Sequence, residues 1–406
     1  MSDDAFKPTR DQLYRAMDAL LDSVDQRSNS KLEEFLPEFG IGENAALNLM
    51  APLVVGGSAK LSNPTAFAHM DPPTPWITWV SACWNAALNQ NLLHPDVSPA
   101  AQHIEQRVID WIKPFFGMTG GHMTPGSTIS NLTALWAARD SKRIKRVYAS
   151  EMAHLSIRKS ARILGLELIT LPCNAQGQLD VNALPKNLDD AALVLTAGTT
   201  SEGAIDSFEP IGNAAWTHID AAWAGPLRFS NTHKHKLSGI ESADSVCVSA
   251  HKWLFQPKES GVLLFKDYET IRQVLSIDGA YLATPNVGVL GSRGANAVPL
   301  LATLFAWGRS GLEQRIDKAM HNAEKLHLHL QQHDAIQLRG ENHSGVILWK
   351  HKTRESVSAL QRALPVGCAS LTSINGVDWI RHVSANPLVQ MNAVSDAIDL
   401  ALAQTK

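Results

Sequence analysis

Apolar residues at helical spacing come first along the chain. Leu13, Met17, Leu20, Leu21 and Val24 share one face of an amphipathic helix predicted over residues 11–24. A polar stretch, DQRSNSKLEE, follows it. Pro64, Pro72, Pro73 and Pro75 then require irregular or extended backbone across residues 62–75. Beyond them the pattern becomes an alternation. Helices are predicted over residues 103–117 (stopped by Pro114 and Gly117), 128–142 and 153–165 (stopped by Gly165). KRVYAS, LELITL, AALVLTA, AAWTHID, DSVCVSA and GVLLF are short apolar runs rich in β-branched residues, of the kind that form buried strands.

Alternating strands and helices predict an α/β layer with a mostly parallel sheet. The tail differs: a long helix over 311–334, the strands GVILWK and VDWIRHV, and a final helix near 388–404. It reads as a small C-terminal α+β domain. The expected organisation is an N-terminal helical arm over 1–60, a large domain over 61–310 and the small domain over 311–406. There is no internal repeat.

Charge and cysteine content narrow the function. Lys plus Arg is 36 and Asp plus Glu is 39, so the net charge of −3 argues against nucleic acid as a partner. Cys83, Cys173, Cys247 and Cys368 form no CxxC pair, which excludes a zinc knuckle or a redox motif of that kind and fits a reducing compartment. The N-terminus lacks the apolar core of a signal peptide, and no run reaches the ~18 apolar residues of a membrane span. A cytoplasmic protein without a membrane partner is expected.

Five segments after predicted strands or at a helix start hold candidate chemistry. In THIDAAW, Asp220 stands at a strand's carboxyl end, where open α/β sheets bind ligands, with the small Ala221 and Ala222 beside it. Taken alone it also reads as a turn cap. In SAHKWLF, Lys252 follows another strand, flanked by His251, Trp253 and Phe255. A lysine in apolar surroundings loses its proton easily and becomes a nucleophile, although a lone lysine more often snorkels to water. In MTPGSTISN, Gly126, Ser127 and Thr128 open a helix and offer N–H and hydroxyl donors to an anion, or a plain cap. SEMAH and TAGTTSEGAID add His154, Thr199 and Thr200, each of which also reads as a core, cap or turn residue. Together the set suits a phosphate-bearing aromatic aldehyde. Such a group needs a lysine, a carboxylate for its ring nitrogen and a helix N-terminus for its phosphate, the arrangement of pyridoxal 5'-phosphate.

Over residues 63–311 the sequence resembles the group II pyridoxal-phosphate-dependent amino-acid decarboxylases, which include the aromatic amino-acid, glutamate, cysteine sulfinate and diaminobutyrate enzymes. The resemblance rests on ALNQNLLHPDVSPAAQHIEQRVIDWI, NLTALWAARD, HLSIRKSARILGL, TAGTTSEGAID, HIDAAWAGP and HKWLF. It implies the aspartate-aminotransferase type of fold, with a mostly parallel seven-stranded sheet, and a homodimer with active sites at the subunit interface. It implies that Lys252 is the Schiff-base lysine, that Asp220 partners the pyridine nitrogen, that His154 stacks on the ring and that Ala222 lies against the opposite face. Gly126, Ser127, Thr128, Ser249 and His251 become phosphate contacts, and Thr199 sits near the ring or the substrate carboxylate. Ser292, in GSRGAN, becomes a contact to the neighbouring subunit's phosphate, and Arg381 a carboxylate-binding arginine. The implied reaction is loss of CO2 from an amino acid to leave an amine, with His154 and Lys252 handling protons.

Several features depart from the family. The chain is short at both ends, and TPGST replaces the double-glycine phosphate segment. The interval 265–291, where a mobile loop with a proton-donating tyrosine belongs, is short and offers Tyr281 in an unrelated context. Another carbon–carbon lyase, a decarboxylation-linked aldehyde-forming enzyme and a silent binding homologue therefore remain as alternatives. FAHMDPPTP resembles the AH-x-x-PP segment of diaminobutyrate-type enzymes, and there Asp71 either pairs with a cationic substrate group or caps a turn. His327, His329 and His333 read as a solvated helix face, because no acidic or thiol ligand joins them in the sequence, and no metal is expected.

Overall fold

The computed structural model describes residues 9–22, 34–353 and 357–404. The chain divides into two compact units, Met1–Lys60 and Leu61–Lys406. The first contains helices α1 (Arg10–Asp22) and α2 (Glu43–Val54). Leu13, Met17 and Leu20 on α1 are exposed. Val24, placed on the same face by the sequence pattern, lies outside the described residues.

The second unit begins with irregular chain through the prolines, then α3 (Trp76–Leu88) and α4 (Pro99–Ile112). Pro114 and the left-handed Gly117 (φ 64°) end α4 and the short 3₁₀ turn after it. The large sheet follows: β1 (Gly120–Thr124), α5 (Ser127–Lys142), β2 (Arg146–Ser150), α6 (Leu155–Leu164), β3 (Glu167–Leu171), β4 (Leu188–Thr196), β5 (Ala214–Asp220), β6 (Ser245–Val248) and β7 (Gly261–Phe265). Its seven strands lie in the order β1-β7-β6-β5-β4-β2-β3. β7 runs antiparallel to both of its neighbours and the remaining contacts are parallel. β1, β2, β4, β5 and β6 therefore end on one edge of the sheet. GVLLF in β7 and SVCV in β6 are wholly buried, which is why they read as unbroken apolar runs.

β1, GGHMT, was invisible to the apolar pattern. Its glycines answer to packing: a Cβ on Gly121 would stand 2.0 Å from the Leu263 carbonyl oxygen, and one on Gly120 would meet the Tyr268 ring at 2.4 Å.

After β7 come α7 (Tyr268–Val274), the paired β8 (Ser276–Ile277) and β9 (Asn286–Val287), and α8 (Ala297–Gln331). α8 starts earlier than the predicted 311–334 helix and breaks at Gly308, whose φ of 58° and ψ of −172° are non-helical. Then come β10 (Ile336–Arg339), β11 (Val346–His351), α9 (Val357–Ala363), β12 (Ser370–Ile374), β13 (Val377–Val383) and α10 (Met391–Gln404). These four strands form an antiparallel sheet ordered β10-β11-β13-β12. Among the described residues no helix is long and apolar enough to cross a membrane.

The small sheet steadies the loops beyond β5 and β6. Trp223 donates to the Ser344 carbonyl at 2.7 Å and Trp253 to the Ser384 carbonyl at 2.8 Å. The two rings pack 4.2 Å apart, centroid to centroid, fully buried. Each follows directly on a candidate site residue, Ala222 and Lys252.

Candidate active site

The carboxyl ends of β1, β2, β4, β5 and β6 surround a cavity of about 230 Å³. Gly126, Ser127, Thr128, His154, Asp220, Ala222, Ser249, His251 and Lys252 all line it. Five loops separated by up to 126 residues of sequence thus converge where an open α/β sheet binds ligands.

Asp220 ends β5 and is almost wholly buried. Its Oδ1 accepts from the Ala222 backbone N–H at 3.1 Å and its Oδ2 from Asn131 Nδ2 at 2.9 Å. Asn131, on α5, was not recognised from the sequence, because nothing marks one amide in a helix. Its second Nδ2 hydrogen goes to Ser156 Oγ at 2.8 Å. Its Oδ1 accepts from His218 Nε2 at 2.9 Å and from the Cys247 thiol at 3.0 Å. The amide orientation follows from this set, since a flip would aim oxygen at the Asp220 carboxylate. Burial holds His218 down at about 4, so its ring is neutral with the proton on Nε2 and Nδ1 accepting from Ser245 Oγ. The Cys247 thiol is pushed well up by burial and stays protonated.

His154 is the N-cap of α6, its Nδ1 accepting from the Ser156 N–H at 3.3 Å and lying 2.7 Å from Ser156 Oγ. The hydroxyl that receives from Asn131 is free to donate to that nitrogen, which leaves the His154 proton on Nε2. Burial lowers the His154 pKa, with nearby Asp220 opposing the shift. Burial also lowers the Lys252 pKa, again against Asp220, which favours the neutral amine a nucleophile requires.

A phosphate-bearing group fits the opposite wall. The first N–H groups of α5 have no partner within the helix. Ser127 Oγ and Ser249 Oγ stand 2.7 Å apart, both buried. His251 Nδ1 on this wall is buried without a hydrogen-bond partner, as is Thr196 Oγ1 beside Asp220 on the neighbouring strand. Burial pulls His251 down to about 4, so it meets a ligand as a neutral ring. Gly126 has φ 136°, and a Cβ there would approach His251 Cε1 to 3.3 Å. The donors, the unpartnered atoms and the open glycine suit the phosphate of pyridoxal 5'-phosphate, and Asp220 with Lys252 suits its ring nitrogen and aldehyde.

Four candidates lie off the cavity wall. Thr199 is buried but turns its Oγ1 to the Ala204 N–H at 3.1 Å, while its neighbours Gly198 and Thr200 face the cavity. The GTT turn is thus present, with its first threonine serving the turn. Arg381, in β13, is buried and donates from Nε to the Thr200 carbonyl (2.9 Å) and from Nη1 to the Ala68 carbonyl (3.1 Å) and Ser370 Oγ. Burial lowers its pKa to about 10. Asp71 forms an ion pair with Lys258, a residue the sequence reading passed over. Ser292 is exposed and accepts from Asn91 Nδ2 at 3.2 Å. In the interval 265–291 Tyr281 is exposed, and a second tyrosine, Tyr268, packs beneath β1.

Residues 33–352 match the pyridoxal-dependent decarboxylase conserved domain. The chain is 31% identical over 372 residues to an L-2,4-diaminobutyrate decarboxylase of Rhizobium meliloti (strain 1021), covering 83% of this chain and 73% of that one. It is 28% identical over 367 residues to an aspartate 1-decarboxylase of Aliivibrio fischeri, covering 76% and 67%. Among solved structures it superposes on Oryza sativa TDC with PLP and tryptamine at a TM-score of 0.87 and 21% identity, covering 100% and 98% of the two chains. That likeness carries the fold.

Proposed function

The chain belongs to the pyridoxal-dependent decarboxylase family, and from that premise we propose that it releases CO2 from a short polar L-amino acid, L-2,4-diaminobutyrate being the first to test. The observation that carries the chemistry is the convergence of Lys252, Asp220 and His154 on one cavity with an anion-binding helix N-terminus. The substrate reading rests on the relatives in the diaminobutyrate and aspartate classes and on Asp71. Asp71 is paired with Lys258, and in this reading a cationic substrate group takes the place of that lysine.

When bound, pyridoxal 5'-phosphate supplies an aldehyde for the amine and an electron-withdrawing ring that accepts the electron pair left as CO2 departs. The protein's part is positioning and proton control. Lys252 Nζ would be the amine that holds the cofactor's aldehyde, and burial lowers its pKa in the direction that favours a nucleophile. Asp220 would hold a proton on the cofactor's ring nitrogen, and the Asn131 amide fixes the carboxylate for that task. His154, oriented by Ser156, presents a flat neutral ring whose Nε2 carries a proton. Ser127, Thr128, Ser249 and His251 would hold the phosphate, and Ala222 would leave room for the ring. Plain decarboxylation is favoured over the aldehyde-forming and other lyase alternatives by the named activities of the relatives.

The working unit is a homodimer in this reading. Trp76, Trp79 and Trp84 on α3 and Phe305 on α8 are exposed, as are Leu13, Met17 and Leu20 of α1. A second copy burying them would gain about 25 cal/mol per Å² of apolar surface. Ser292 would then face the partner's phosphate, and the 1–60 segment would act as a dimerisation arm.

The test is kcat/KM for L-2,4-diaminobutyrate, aspartate, glutamate and tryptophan, with Asp71→Asn beside the wild type. Preference for diaminobutyrate, lost by tenfold or more in the variant, is expected. Preference for tryptophan would refute the short polar class, and preference for aspartate would refute the role given to Asp71; either would leave the reaction class standing.

A further inference from the structure

Away from the cavity, two helices bring three ligand atoms together. His329 lies in the last turn of α8, His333 just beyond its end, and Asp399 on α10. His329 Nε2 is 2.9 Å and His333 Nε2 3.1 Å from the same oxygen, Asp399 Oδ1. The two Nε2 atoms are 3.4 Å apart. The carboxylate that the sequence did not place beside these histidines is supplied by α10. None of the three lines the cavity.

We propose that His329, His333 and Asp399 form a binding site for a zinc-type divalent cation that clips the end of α8 to α10. Bonds of about 2.0–2.1 Å to a tetrahedral ion set its ligand atoms about 3.3–3.4 Å apart. The observed triangle reaches that size with shifts of a few tenths of an ångström. Two imidazoles and one carboxylate suit zinc and its neighbours, whereas calcium and magnesium call for oxygen ligands throughout. The carbonyl end of α8 carries partial negative charge, which favours a cation there. The rings meet edge to face, at 70°, so that both can turn Nε2 toward one point. The histidine side chains are 22% and 29% exposed, enough for an ion to arrive from solvent and keep water in a fourth position. On binding, each imidazole stays neutral with its proton on Nδ1, and no redox change is involved.

The competing arrangement is two imidazole N–H groups donating to one carboxylate, without an ion. Zinc titration separates the two. The cofactor-loaded chain, without a polyhistidine tag, is stripped with chelator, dialysed and titrated with Zn²⁺ by calorimetry, with thermal unfolding followed in parallel. One equivalent should bind and raise the melting temperature. His333→Ala and Asp399→Asn should each weaken binding at least tenfold and abolish the zinc-dependent rise. His327→Ala should change neither, because His327 Nε2 is engaged by Gln331 instead. His333 follows the helix end, so its truncation leaves the core intact, and circular dichroism checks the fold of each variant. No binding by the wild type, or unchanged affinity in a His329→Ala/His333→Ala double variant, would overturn the site.

Discussion

Asn131 Nδ2 donates to Asp220 Oδ2 across 2.9 Å, from the second turn of α5 to the end of β5. The same amide has all four of its hydrogen-bonding positions filled, by Asp220, Ser156, His218 and Cys247. It therefore couples the carboxylate on one side of the cavity to His154 on the other, through Ser156. Asn131→Ala would leave Asp220 and Ser156 each short of a donor. A hydrogen bond to a charged group is worth about 1.5–3 kcal/mol, so kcat should fall about 10- to 100-fold. The cofactor's absorption band should shift as well. Asp220→Ala should retain some cofactor and lose more rate than Asn131→Ala. An unchanged kcat in either variant would contradict the role given to the pair.

Lys252→Ala should keep the fold and abolish turnover. Borohydride reduction followed by mass spectrometry reads the attachment directly. The wild type should carry the cofactor's mass on the peptide containing Lys252, and the variant on no peptide. Full activity in the variant would remove the lysine from the chemistry.

Gly126→Ala tests the phosphate wall. The residue adopts φ 136°, which L side chains rarely take, and its added methyl would crowd His251 Cε1 at 3.3 Å. Cofactor Kd should rise tenfold or more, with little change in secondary structure by circular dichroism. Cofactor affinity equal to that of the wild type would show that this wall does not receive the phosphate.

Acid should unfold the chain readily. Burial holds His122, His218 and His382 each at about 4, against 6.5 for a free imidazole. Between those values the unfolded chain binds protons that the folded chain refuses, so stability falls as pH drops through that window. Each group contributes up to about 1.4 kcal/mol per pH unit. Asp206 works the other way. Burial raises it to about 6, so its contribution falls as pH rises from 3.8 to 6. Asp244, also raised by burial, acts like Asp206, but the three histidines outweigh the two carboxylates, and the urea midpoint should decline from pH 7 to pH 5. A flat or rising midpoint on acidification would contradict this balance.

The sequence spoke most clearly where one local rule acted alone. The runs GVLLF and SVCV are strands with every residue buried, and such burial selects a nearly continuous apolar run. Gly165 stops α6 in the left-handed conformation, as its place after the helix predicts. β1 was illegible because close packing selected Gly120 and Gly121 in place of an apolar pattern. Site residues at strand ends could be named because the sheet's topology brings those ends together. Side-chain direction was another matter. Thr199 turns to Ala204 within its own tight turn, and Arg381 donates to the carbonyls of Ala68 and Thr200, far away in sequence. Asn131 and Asp399 escaped for the same reason, since each acquires its meaning from a partner on another element.

The most direct measurement is a carbon balance. The cofactor-loaded protein is incubated with a mixture of L-amino acids labelled with ¹³C in the α-carboxylate, and gas and solution are followed by mass spectrometry. Labelled CO2 and one new amine should appear in equal amounts, and the amine names the substrate. A ketone or aldehyde with released ammonia, or no labelled CO2 from any amino acid, would contradict decarboxylation as the activity of this chain.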